Sequence, residues 1–165
     1  GDVVWRHRQL AAKAFGVRHT VPSLGYTLFD VRKKLKEAYH GRPGPELARL
    51  RREGVAFEEE HWLPRLTFIG DSTIETLYRE PHVGQSRILF LEVTFLMDGE
   101  QELARRRGHT HVDDLVRFLQ DCPDVLRNET IVLKHFSMRY DRGTIRTILR
   151  AKLPSSFMER VLVLL

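Results

Sequence analysis

The chain has 165 residues and a formal net charge of +5, from 27 Lys and Arg against 22 Asp and Glu, with an isoelectric point near 9.7. This length fits one ordinary domain or part of a larger one, and the basic balance modestly favours a polyanionic partner. The single cysteine, Cys122, excludes an internal disulfide and is typical of a reducing compartment. No apolar run approaches membrane-spanning length and no signal-like segment opens the sequence, so we expect a cytoplasmic protein without a membrane contact.

The first third of the sequence predicts two neighbouring strands. Residues 11–18 and 24–31 are apolar and aromatic, and a turn at 21–23 joins them. The chain starts without an initiator methionine and moves at once into what resembles the middle of a sheet protein. We therefore expect a fragment or a processed product.

Residues 32–60 differ in composition from the rest of the chain. They begin with a basic run, are broken by HGRPGP at 40–45, and then become periodic at Leu47, Leu50 and Val55. This pattern predicts a loop and a short helix that project from the sheet. It does not indicate a separate domain.

From residue 63 onward, apolar runs alternate with helical patterns. The expected elements are strands at 63–69, 87–93 and 131–133 and a final apolar run at 161–165. Asp71 or Ser72 is expected to cap the helix after the first of these strands, and Thr110 with Asp113 the helix after the second. The alternation predicts an α/β fold with residues 1–165 in one domain.

Polar side chains stand near the ends of four predicted strands. They are His19, Asp71, Glu92 with the later His109, and His135. Ligands of open α/β sheets collect at the carboxyl ends of strands, and imidazole and carboxylate suit borderline cations such as zinc. Each residue also has an ordinary explanation, such as a helix cap or an arginine partner, so the pattern alone leaves a metal site open.

Five motifs together resemble the metallo-β-lactamase superfamily and, within it, ribonuclease Z, the endonuclease that trims tRNA 3′ trailers. In chain order they are VRHTVPSLGY (17–26), FIGDST (68–73), LEVTF (91–95), GHTH (108–111) and LKHFSMRY (133–140). The resemblance spans nearly the whole chain. It implies the C-terminal half of an αββα four-layer sandwich, a tRNA precursor or another RNA as substrate, and two zinc ions in the intact family site.

The resemblance implies that His19, Asp71 and His135 are metal ligands, with the carboxylate of Asp71 between the two ions. The family's histidine-rich loop, His-x-His-x-Asp-His, should precede His19, and residues 1–18 do not supply it. Without that loop the sequence also lacks the aspartate that would act as general base. We therefore expect a missing N-terminal half as a partner, and a chain that is inactive or very weak alone.

The remaining motifs imply an acid and a phosphate site. His109 matches the histidine that protonates the leaving oxygen, and Glu92 matches the carboxylate that orients it. Ser137 and Arg139 match phosphate contacts, for which a guanidinium fork is well suited. Leu91 departs from the family, which has a histidine before the glutamate.

A second stretch, HTHVDD at 109–114, matches the histidine-rich loop in five of six positions. It follows Asp71 instead of preceding His19, so its order is wrong for that role. The ordinary interpretation is that its hydroxyl and carboxylates favour the positive end of a helix. We keep the metal-loop interpretation as a minor alternative.

Three further expectations concern partners and rival functions. The basic segment 32–52 lies where family members carry a tRNA-gripping arm, although a merely solvated helix explains it equally well. The rivals are another hydrolase of the same fold with a different substrate, and a non-catalytic nucleic-acid-binding module. A homodimer is a further expectation from the family.

Overall fold

The computed structural model describes all 165 residues, and a single seven-stranded sheet organises them. Its strands are β1 (Asp2–His7), β2 (Leu10–Val17), β3 (Ser23–Leu35), β4 (Glu58–Phe68), β5 (Ile88–Glu92), β6 (Thr130–Lys134) and β7 (Val161–Val163). Each strand pairs with the next along the chain, antiparallel from β1 to β4 and parallel from β4 to β7. Parallel neighbours need crossover connections, which explains the helices of the second half.

The helices are α1 (Gly44–Arg52), α2 (Glu75–Arg79), α3 (Gln101–Arg107), α4 (Val112–Asp121), α5 (Arg142–Lys152) and α6 (Ser155–Met158). The α/β class is confirmed, and the expected strands are present with ends shifted by a few residues. None of the helices combines the length and the apolar character that a membrane crossing requires.

The start of α2 differs from the prediction. Neither Asp71 nor Ser72 caps the helix, which begins after Ile74 without a side-chain hydrogen bond at its first turn. The backbone N–H of Ser72 donates instead to the buried carboxylate of Glu92 at 3.1 Å. The loop after β4 is therefore bonded to the end of β5 and does not cap α2.

The two faces of the sheet are covered unequally. On one face, helices bury a set of side chains that are at most 1% exposed: Leu89, Leu91, Ile131 and Leu133. On the other face, a row of residues in register crosses five strands: Tyr26, Phe68, Phe90, Val132 and Leu162. Three members of this row remain 41%, 41% and 60% exposed, namely Tyr26, Phe68 and Leu162. An apolar sheet face that stays partly exposed is typical of a surface that another layer covers.

Residues 32–60, called the arm from here on, are more regular than the predicted loop and helix. β3 continues to Leu35 and β4 begins at Glu58, so the two strands pair within the arm, and α1 lies between them. The basic end of β3 faces the acidic start of β4, and Arg51 adds an ion pair with Glu58 at 3.1 Å. Opposite charges across neighbouring strands stabilise the pairing. Much of the arm's positive charge is consequently neutralised within the chain.

Candidate metal and phosphate site

Three side chains converge at the carboxyl edge of the parallel strands. Asp71, His109 and His135 each offer one ligand atom, and these atoms lie within 4.8 Å of one another. Nε2 of His135 is 3.5 Å from Oδ1 of Asp71, and these two side chains are 43% and 42% exposed. A carboxylate and two imidazoles that solvent can reach form a donor set that fits a zinc-like cation.

The backbone of His135 adopts an uncommon conformation. Its φ is +63°, in the left-handed region, which among the non-glycine residues only Arg8 shares. The turn after it is held by Ser137, whose N–H donates to the carbonyl oxygen of Thr94 at 3.0 Å. Strained residues of this kind persist where the surroundings fix them, and they concentrate at functional sites.

The hydroxyl of Thr94 determines which ring nitrogen of His135 carries the proton. It has one hydrogen, and Oε2 of Glu92, 2.7 Å away, can only accept it. The same hydroxyl lies 2.9 Å from Nδ1 of His135, so it must accept a hydrogen bond from that nitrogen. Nδ1 of His135 therefore carries the proton, and the lone pair of Nε2 faces Asp71 as a ligand atom.

The buried carboxylate of Glu92 connects the loops that carry the site. Its side chain is fully buried, and its two oxygens accept five hydrogen bonds. The donors are the backbone N–H groups of Ser72, Thr94 and Thr110, the hydroxyl of Thr94, and Nδ1 of His109 at 2.9 Å. A buried carboxylate needs such compensation for its lost hydration. Three loops are thereby tied to one fixed anion.

The contact with Glu92 sets the chemistry of His109. Nδ1 donates to the carboxylate, which leaves Nε2 to hold either a metal or a proton. The hydrogen bond with Glu92 raises the pKa of His109 above its usual range, although burial opposes the rise. Burial lowers the pKa of the neighbouring Lys134, against the attraction of Asp71 and Glu92.

His19 approaches this cluster but does not join the group of three. Its ring centroid is 5.3 Å from that of His109, and its Nδ1 lies 2.8 Å from the carbonyl oxygen of Gly108. A carbonyl accepts only, so Nδ1 carries the proton and Nε2 is free, as in the other two histidines. Gly108 has φ +75°, and a Cβ there would lie 2.6 Å from Nδ1 of His19. Glycine is thus required beside this ring.

Ser137 and Arg139 lie beside His109 in one small cavity of about 260 Å³, which Arg107 also lines. Nε of Arg139 donates to Oγ of Ser137 at 3.2 Å, and its Nη2 donates to Oε1 of Glu100 at 2.7 Å. A preorganised guanidinium next to a hydroxyl can hold a phosphate oxygen pair.

The HTHVDD stretch does not form a metal loop. His111 is fully buried, where its Nδ1 accepts from the N–H of Asp113 at 3.1 Å and caps α4. The predicted cap Thr110 instead donates its hydroxyl to the carbonyl of Ser72 at 2.8 Å. The metal-loop alternative for 109–114 is therefore wrong, because only His109 of this stretch faces the cluster.

Sequence reasoning missed three contributors to this site. Thr94 orients His135, Glu100 holds Arg139, and Gly108 makes room for His19. Thr94 could have been found from its place within the LEVTF motif, two residues after Glu92. Glu100 had no such signal, since 39 residues separate it from Arg139.

Comparison with known proteins finds sequence relatives of this chain. No protein-family model matches the chain. It is 32% identical to the tRNase Z TRZ1 of Arabidopsis thaliana over 160 residues, which cover 95% of the chain and 55% of that protein. It is 29% identical to the chloroplastic tRNase Z TRZ2 of the same plant over 167 residues, covering 99% of the chain and 46% of that protein. The chain thus spans about half the length of the curated relatives that it matches.

Solved structures give the fold. The metallo-β-lactamase fold protein YhfI of Bacillus subtilis superposes with a TM-score of 0.55 at 10% identity, over 96% of this chain and 48% of that one. The short form of human tRNase Z gives a TM-score of 0.52 at 17% identity, over 98% and 43%. The chain therefore has the metallo-β-lactamase fold over somewhat less than half of each neighbour's length. At the level of sequence, the chain is similar to tRNase Z proteins over about half of their length.

Proposed function

We propose that this chain supplies the acid, the phosphate contacts and part of the metal site of a zinc-dependent endoribonuclease that removes 3′ trailers from tRNA precursors. The observation that carries the proposal is the cluster of Asp71, His109 and His135 above the buried Glu92. The tRNase Z names of the relatives support the RNA substrate.

Zinc would be held by Asp71 and His135, with His19 as a third ligand from this chain. The protonation of the two rings fits this role. In both His19 and His135, Nδ1 is occupied by a hydrogen bond and Nε2 is available as a ligand atom. When bound, zinc would supply the Lewis acidity that makes water nucleophilic near neutral pH.

His109 is the proposed general acid. Glu92 holds its Nδ1, so a second proton resides on Nε2, the atom able to pass it to a leaving 3′ oxygen. The hydrogen bond with Glu92 raises the pKa of His109, which favours this doubly protonated form. Ser137 and Arg139 would orient the phosphate in the adjoining cavity.

The uncovered sheet face is the proposed seat of the N-terminal half of the fold. That half would bury the row from Tyr26 to Leu162 and bring the histidine-rich loop and the general base. The chain alone is then inactive or very weak. The arm as a tRNA contact, a homodimer and a cytoplasmic location stay predictions; one relative is named as chloroplastic.

The test is cleavage of a pre-tRNA by this chain, alone and mixed with the N-terminal half of the Arabidopsis tRNase Z TRZ1, with bound zinc measured in both. We expect cleavage only in the mixture, and its loss in His135→Ala and His109→Ala but not in the surface control Arg117→Ala. Full activity of the chain alone would contradict the need for a second half.

The same assays separate the two rivals. Hydrolysis of bis-p-nitrophenyl phosphate without cleavage of pre-tRNA would favour another hydrolase of this fold. A mixture without zinc, whose tRNA affinity is unchanged by His135→Ala, would favour a binding module.

A further inference from the structure

Helix α5 presents a stripe of arginines that the proposed site does not use. Arg142, Arg146 and Arg150 follow one another at four-residue spacing and are all exposed. Residues four apart share one face of a helix, and at 1.5 Å per residue they are about 6 Å apart along its axis. The stripe is therefore a straight row of positive charge about 12 Å long.

The three arginines of this row have no acidic partners. None of its three guanidiniums forms an ion pair within 4.0 Å, and α5 itself contains no acidic residue. In the arm, by contrast, Arg42, Arg49 and Arg51 are each paired with a glutamate. The charge of the α5 row is thus available to an anion from outside the chain.

Two cavities lie beside the row, and the first of them includes His135 of the candidate metal site. A cavity of about 420 Å³ is lined by His135, Ser137 and Arg142 together with apolar side chains that include Leu164. A second cavity, of about 280 Å³, lies one helical turn further on and is lined by Arg146, Arg150, Met158 and residues 161–163. We call this pair of cavities the α5 groove.

The floor of the groove is apolar and lies along the last strand of the sheet. Within this chain β7 pairs only with β6, and Val161 and Val163 line the second cavity. A single-stranded nucleic acid needs apolar surface for its bases and evenly spaced cations for its phosphates. Both are present here side by side.

We propose that the α5 groove binds a single-stranded RNA segment that continues from the phosphate held at Ser137 and Arg139. Phosphates would contact the arginine row, and bases would lie against the β7 side. This inference rests on the proposed RNA substrate and adds a second contact surface to it.

The test measures binding of a fluorescein-labelled uridine 12-mer to the chain across a salt series. The variant is Arg146→Glu with Arg150→Glu; the control is Arg117→Glu with Arg127→Glu, which makes the same charge change at other exposed arginines. We expect the groove variant to bind about tenfold more weakly at low salt. The negative slope of log affinity against log salt should become shallower by about 1.4, or about 0.7 for each lost phosphate contact. Circular dichroism spectra should coincide for all three proteins.

Equal effects of the two double variants, or an unchanged salt slope, would overturn the inference. So would a polyglutamate peptide that displaces the 12-mer at equal charge concentration, since the surface would then be a general polyanion site. Crosslinks from 4-thiouridine should map to residues 142–165, and crosslinks confined to the arm would also overturn it. If the unmodified chain binds the 12-mer but does not cleave pre-tRNA when mixed with the N-terminal half, the proposed function is refuted and the groove is not.

Discussion

The two faces of the sheet carry similar side chains in different surroundings. On β5, Leu89 and Leu91 are at most 1% exposed beneath the helices, whereas Phe90 between them points to the open face, where its neighbour Phe68 is 41% exposed. Side chains alternate along a strand, so one short segment supplies both faces. The difference teaches that an apolar side chain becomes core only where a second layer lies over it.

The largest expected effect comes from the covered face. Leu91→Ala should lower the free energy of unfolding by about 3 kcal/mol, because it leaves a cavity in a close-packed region. Leu162→Ala on the open face, where the side chain is 60% exposed, should cost less than about 0.5 kcal/mol. Urea unfolding followed by circular dichroism measures both, and equal losses would erase the distinction between the faces.

The next effect concerns the buried anion at the strand edge. Glu92→Gln should destabilise the chain by about 2 kcal/mol, because an amide nitrogen cannot accept the hydrogen bonds that the carboxylate receives. The pKa of His109 should also fall, since its main cause of elevation is removed. NMR titration of the histidine ring reports this shift. The exposed Glu129→Gln serves as control, and a His109 titration unchanged in Glu92→Gln would show that the contact is not formed in solution.

A charge introduced on the open sheet face tests whether another layer covers that face. Phe68→Asp should change the stability of this chain by less than about 1 kcal/mol, as expected for an exposed position. Cleavage of pre-tRNA by the mixture with the N-terminal half should fall at least tenfold, because a carboxylate would be buried between the sheets. Val55→Asp, an exposed substitution in the arm, is the matched control. Normal cleavage by Phe68→Asp would mean that nothing covers this face.

The smallest effect lies where α4 and α5 meet on the covered side. Burial raises the pKa of Asp113, but hydrogen bonds from Lys152 and Gln101, each 2.7 Å long, outweigh it and the pKa is lowered. A depressed folded pKa stabilises the protein above the unfolded value near 4, and this contribution is lost as pH falls through the folded value.

Asp113→Asn should therefore cost less than about 1 kcal/mol near neutral pH, and the deficit should shrink below about pH 4. Unfolding curves for both proteins from pH 7 to pH 3 provide the measurement. A deficit that stays constant over this range would assign the loss to packing and not to charge.

Much of the fold could be predicted from local patterns. The strands at β2, β3, β5 and β6 follow from apolar runs bounded by turn residues, and the start of α5 follows from Asp141, which accepts hydrogen bonds from Gly143 and Thr144. The predicted caps of α2 and α4 were wrong, because α2 has no side-chain cap and Thr110 donates its hydroxyl to the carbonyl of Ser72, 38 residues away. Such distant contacts leave no local pattern.

The sequence by itself determined which chemical groups are available, since Asp71, Glu92 and His135 each follow or end an apolar run and His109 follows the basic run at 105–107. Only the tertiary structure decided which of them meet: His109 joins Asp71 and His135, while His19 turns its Nδ1 to Gly108. It also decided that one sheet face stays open and that the α5 arginines lie along β7. The reason is physical, because side-chain identity fixes what a group can do, whereas packing between distant segments fixes where it does so.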